Sequence, residues 1–84
     1  MTYLIDWTPR SREQLMGLVR FIDRKWGNAA VVRFISQLNF FLKIIEEMPE
    51  AFPVINEKKK WRRCVVTKRT VVFYKIQNRT IVSS

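Results

Sequence analysis

A chain of 84 residues makes one small domain, 1–84, with room for a modest core, and no large concave pocket is expected of it. Its 16 Lys and Arg against 7 Asp and Glu leave a net charge of +9, and residues 58–84 hold nine of those cations and no acid, a field suited to nucleic acid, an anionic membrane surface or an acidic protein partner. The absence of histidine removes His-based triads, His-ligated zinc and the usual proton shuttle near neutral pH, and with only two glycines there is no glycine-rich phosphate loop.

The N-terminal residues meet Asp6 before any apolar stretch develops, so no signal peptide is expected. Residues 3–7 (YLIDW) are β-branched and aromatic and predict a short strand. Thr8 and Pro9 then form a helix start, with a hydroxyl to cap and proline at the first helical position. A second start signal lies just inside, where Ser11 and Gln14 have capping-box spacing. Leu15, Leu18, Val19, Ile22 and Trp26 recur at helical spacing and predict one apolar face. Gly27 and Asn28 read as the stop of this helix and the N-cap of the next.

The second helix has Val31, Phe34, Ile35, Leu38, Phe41, Leu42 and Ile45 on one face and should end before Met48 and Pro49. Arg33 and Lys43 bracket its longest apolar region, too short for a membrane span. So short a junction makes the two helices an αα-hairpin, whose apolar stripes need a further layer. Residues 61–67 and 70–77, rich in Val, Phe, Tyr and Ile with Lys68 and Arg69 between them, supply it as a β-hairpin. Asn78 and Arg79 form a second turn, and Thr80, Ile81 and Val82 begin a last strand. The predicted order is β-α-α-β-β-β, an α+β domain with a helical hairpin on a small antiparallel sheet.

Lys58, Lys59, Lys60, Arg62 and Arg63 form the densest basic cluster, with Trp61 among them. They could track phosphates while Trp61 stacks on a base, or form a solvated loop with Trp61 in the core. Arg69, Tyr74, Lys75 and Arg79 extend the basic surface. Its arginines and lysines could hold phosphate and Tyr74 could donate a proton, yet no carboxylate or imidazole lies nearby to act as base. Tyr74 therefore reads more simply as an aromatic of the packed face. Glu46, Glu47, Glu50 and Glu57 have no metal-loop spacing and solvate the end of the second helix. The lone Cys64 cannot form an internal disulfide, which suits a reducing cytoplasm, and reads as a small core hydrophobe. No cofactor, metal or catalytic residue is assigned.

The ordered combination of a strand ending in Trp7, Trp26 and Gly27 at the helix junction, Pro49, Glu50, Phe52 and Pro53, then Arg62, Arg63, Val65, Val66 and the run from Val71 to Ile76 resembles the ParE/RelE superfamily of toxin–antitoxin toxins, and most of all its ParE-like, plasmid-stabilisation branch. The resemblance implies a bacterial cytoplasmic toxin neutralised by a cognate antitoxin whose disordered segment wraps it. ParE-like members poison DNA gyrase through protein contacts, whereas RelE-like members cut mRNA on the ribosome with several basic residues and often a late Tyr or His. One fold thus carries two chemistries.

Position by position, Arg62 matches one RelE-type basic residue, but Cys64 and Val71 stand where others would be, and the late arginine and tyrosine have no counterpart. A gyrase-binding toxin is therefore the leading reading, with Lys58, Lys59, Lys60, Trp61, Arg62, Arg63, Arg69, Lys75 and Arg79 as the surface met by an acidic antitoxin. The alternatives are a ribosome-dependent endoribonuclease using Arg62, Arg63, Arg69 and Tyr74, or a degenerate toxin domain retaining antitoxin binding alone. Family members usually continue beyond the position where Ser83 and Ser84 end this chain. The last strand is therefore expected to expose an unpaired edge, filled by the antitoxin or by a second copy in a homodimer.

Overall fold

The computed structural model of the chain describes residues 4–68, 70–77 and 80–83. In chain order it contains β1 (Leu4–Trp7), α1 (Pro9–Trp26), α2 (Asn28–Glu47), β2 (Val54–Asn56), β3 (Trp61–Thr67), β4 (Thr70–Gln77) and β5 (Thr80–Ser83). This is the expected α+β order with one addition, the three-residue strand β2. Its sequence, VIN, is too short to show the alternation that would betray a strand. The expected turn at Asn78 and Arg79 lies outside the described residues.

α1 starts where its cap residues predict. The Thr8 hydroxyl accepts a hydrogen bond from the Ser11 N–H at 3.1 Å, and Pro9 takes the first helical position, where no N–H is needed. Ser11 is not a second start: its hydroxyl turns back to donate to the Thr8 carbonyl at 2.9 Å and is buried within the first turn. At the other end a single residue closes α1 and opens α2. The Gly27 N–H donates to Asp23 O at 2.9 Å, and its carbonyl accepts from the Val31 N–H at 3.3 Å. Gly27, rather than Asn28, thus occupies the N-cap position of α2 and makes no side-chain cap. The junction has no room for a separate stop and start, and Gly27 takes φ 90° and ψ −179°, a conformation that only glycine adopts readily.

The five strands form one sheet in the order β1-β5-β4-β3-β2. β2, β3, β4 and β5 are antiparallel neighbours, and β1 adds parallel to β5, with Leu4 opposite Thr80 and Trp7 opposite Ser83. The expected open edge beside β5 is therefore filled from within the chain. The N-terminal strand, distant in sequence, supplies the pairing that the reading of the C-terminus assigned to a partner.

The core joins both layers: Ile22 of α1, Phe34, Leu38 and Ile45 of α2, Cys64 and Val66 of β3, and Val72 and Tyr74 of β4. Leu15, Leu18 and Val19, and Val31, Ile35, Phe41 and Leu42, pack around it as their spacing predicts. Trp26 does not. It lies 53% exposed at the last position of α1, where the chain turns away, and meets Phe21 edge-to-face at 5.9 Å with Lys25 Nζ 4.9 Å from its ring centre. The Gln37 side chain ties α2 to β3 by donating to Val66 O at 2.7 Å. By length and composition alone, with a hydropathy of 1.2, α2 would suffice to cross a bilayer, yet its buried residues are those that cover the sheet.

Gly27 has open space around it, so a methyl group there would meet no neighbour and the penalty of Gly27→Ala lies in the backbone alone. The substitution is expected to lower the unfolding free energy by roughly 1–3 kcal/mol, as measured by urea denaturation followed by far-UV circular dichroism. Unchanged stability would mean that the junction accommodates another backbone conformation.

Candidate functional site

Along β3 and β4 the side chains alternate between two environments. Cys64, Val66, Val72 and Tyr74 are buried, while Arg63, Val65 and Phe73 are exposed. The register sets Arg62 opposite Tyr74, Cys64 opposite Val72 and Arg63 opposite Phe73. A basic sequence run is thereby divided into cations that reach into the structure and cations that face out.

Arg62 is of the first kind. Its Nη1 donates to the carbonyls of Phe52 at 2.6 Å and Glu50 at 3.2 Å. Directly across the ladder, the Tyr74 hydroxyl donates to the Pro49 carbonyl at 2.7 Å. Two paired residues thus pin residues 49–52 onto the sheet. The ring of Phe52 continues the contact, lying between Phe41 of α2 and Tyr74 with ring centres 6.3 and 6.4 Å apart. Burial pushes the Tyr74 hydroxyl up to about 12, with the Arg62 charge and a backbone hydrogen bond from Phe52 opposing and Cys64 reinforcing the shift. Burial likewise pushes the Cys64 thiol up to about 11. At neutral pH both keep their protons, and neither is accessible. Of the four residues required by a nuclease reading, Arg62 and Tyr74 are engaged in the fold, Arg63 is exposed, and Arg69 lies outside the described residues.

The outward cations gather around β3. Lys58, Lys59 and Lys60 are exposed on the turn from β2 to β3. The Asn56 side chain shapes this turn by accepting from the Lys59 N–H at 2.9 Å, and the Lys60 N–H donates to Asn56 O at 2.7 Å. Lys60 adopts a left-handed φ of 59° there, and its Nζ meets Glu57 at 3.4 Å, an exposed pair of little energetic consequence. Trp61 is neither in the core nor fully exposed: Lys75 Nζ lies 5.1 Å from its ring centre, a cation–π contact between neighbouring strands. Arg79 lies outside the described residues.

Trp61 also lines a groove of about 520 Å³ with Phe73, Ile55, Asn56 and, from α1, Arg10 and Gln14. In the sequence Gln14 carries only a capping-box signal, and Arg10 carries none. No local signal could have found them, because about fifty residues separate them from Trp61 and only the tertiary fold brings them together. The groove combines two aromatic rings, a guanidinium and carboxamides, a set suited to holding a planar or anionic group. Among the described residues no cluster of three or more Cys, Asp or Glu is placed to hold a metal ion.

Removing the Tyr74 hydroxyl leaves the Pro49 carbonyl without its donor, so Tyr74→Phe is expected to cost about 1–3 kcal/mol of stability. The titration adds a signature. A group whose pKa rises on folding stabilises the native state below its unfolded value and loses that contribution as pH climbs through its folded value. Wild-type stability should therefore fall between about pH 10 and 12 through Tyr74, with Cys64 adding a fall between about 9 and 11. In Tyr74→Phe the upper part of this decline should vanish from denaturation curves recorded across that range.

A family model described as the ParE toxin of the type II toxin-antitoxin system, parDE, matches residues 5–83. No curated protein matches the chain in sequence.

Proposed function

Because the chain belongs to the family of ParE toxins of type II toxin-antitoxin systems, we propose that it acts by binding protein, with DNA gyrase as its target and a cognate acidic antitoxin as its neutraliser. The observation that carries this reading is the state of Tyr74. Its hydroxyl, the one named for the RNA-cleaving alternative, is buried, retains its proton to about pH 12 and donates it to the Pro49 carbonyl. Arg62, its neighbour across the ladder, is bound to two carbonyls. What faces outward instead is a cationic and aromatic surface formed by Lys58, Lys59, Lys60, Trp61, Arg63 and Lys75. Such a surface steers an acidic segment electrostatically and gives it rings to pack on. A gyrase poison works in the bacterial cytoplasm, which also agrees with a lone reduced cysteine.

Arg63 is the residue on which to test the partner surface, because it is exposed, whereas reversing the charge of Arg62 would also release the loop. Arg63→Glu is expected to weaken antitoxin binding several-fold at low salt, with the difference shrinking as salt screens the pair. Unchanged affinity would move the antitoxin to the helical hairpin. In a supercoiling and cleavage assay the wild-type protein is expected to inhibit gyrase and accumulate cleaved DNA. Cleavage of mRNA on the ribosome by a protein inert toward gyrase would replace this reading.

A further inference from the structure

We propose that the groove between α1 and the β2–β3–β4 face binds single-stranded nucleic acid, seating a base against Trp61 and Phe73 and its phosphates against Arg10 and Lys75. The inference does not depend on gyrase being the target. It rests on what the fold brings to one place. Trp61 and Phe73, on adjacent strands, both line the groove, and each base of a single strand presents a π-face to rings of this kind. Lys75 Nζ lies over one face of the Trp61 ring, 5.1 Å from its centre, which leaves the other face to a base and puts a cation next to the stacked pair. Arg10 forms part of the opposite wall, and Gln14 brings a carboxamide that can both donate and accept at a base edge.

Arg10 also lines an adjoining hollow of about 630 Å³ together with Arg12, Glu13, Met16 and Arg20. The arginines outnumber the one acid there, so the positive surface continues along α1 from the groove. A track of this kind suits a phosphate backbone running past a stacked base. An acidic peptide would also be drawn to the charge, but it has no need of two rings flanked by a carboxamide. A duplex keeps its bases stacked inside and offers the rings nothing.

The test is fluorescence anisotropy of labelled oligodeoxyuridine and oligouridine, which share a base and differ in the sugar, each about 12 nucleotides long, within the site sizes of single-strand grooves. A duplex of the same length serves as competitor, and the titrations are repeated across a range of salt. Both single strands are expected to bind more tightly than the duplex, and a preference for either one identifies the sugar that is read. Trp61→Ala should weaken binding roughly 5- to 150-fold at fixed salt, the loss of one stacked base, while leaving the salt dependence unchanged. Trp61→Phe, which keeps a ring, should restore most of the affinity. Arg10→Ala, at an exposed position, should instead reduce the salt slope by about 0.7. Circular dichroism establishes that each variant is folded. Equal binding of duplex and single strand, wild-type affinity in folded Trp61→Ala, or no binding at low salt would each overturn the proposal.

Discussion

The structure depends on the hold that two paired side chains exert on one loop. Tyr74 and Arg62 face each other across the β3–β4 ladder, and between them they donate to three carbonyls within residues 49–52. These carbonyls follow the end of α2, where the chain leaves the helical layer for the sheet. Left unpaired, the carbonyls of Pro49 and Phe52, buried and partly buried, would carry a desolvation cost, and satisfied by side chains they fix the crossing. With the loop held, Phe52 lies between Phe41 and Tyr74, β2 meets β3, and Ile55 and Asn56 come to the groove. The junction of the layers and the wall of the candidate site therefore have one cause.

The same hairpin also manages a charge problem. Nine cations and no acid in residues 58–84 repel one another in the native state. Strand alternation relieves part of this by sending Arg62 to carbonyl dipoles while Arg63 goes outward. Lys75 meets the face of Trp61, and Lys60 meets Glu57 of the preceding turn. Lys58, Lys59 and Lys68 stay exposed, and an anionic partner could use them without disturbing the core. The side chains that hold the fold and the exposed Arg63 thus lie on opposite faces of the same ladder.

Catalysis by acid–base chemistry needs groups whose pKa values lie near the working pH and whose atoms reach a substrate. The buried titratable groups of the hairpin are tuned the other way, because burial raises both Tyr74 and Cys64 and so favours their neutral forms. Such groups lend themselves to packing and hydrogen bonding. The surface beside them offers charge and aromatic area, which suits recognition.

Much of the fold was legible in the sequence because its signals are local. Thr8 and Pro9 at a helix start, Gly27 at a junction, seven apolar positions on one face of α2 and the limits of β3 and β4 each follow from backbone preference or periodicity over a few residues. What the sequence could not determine was long-range placement: that β1 pairs with β5 and removes its open edge, that Arg62 bends toward a loop twelve residues behind it, and that Arg10 and Gln14 share a groove with Trp61. The helical signal of α1 and the strand signal of β3 are complete without one another. Only the packing of the layers, which the sequence encodes collectively rather than at any single position, decides which of their side chains meet.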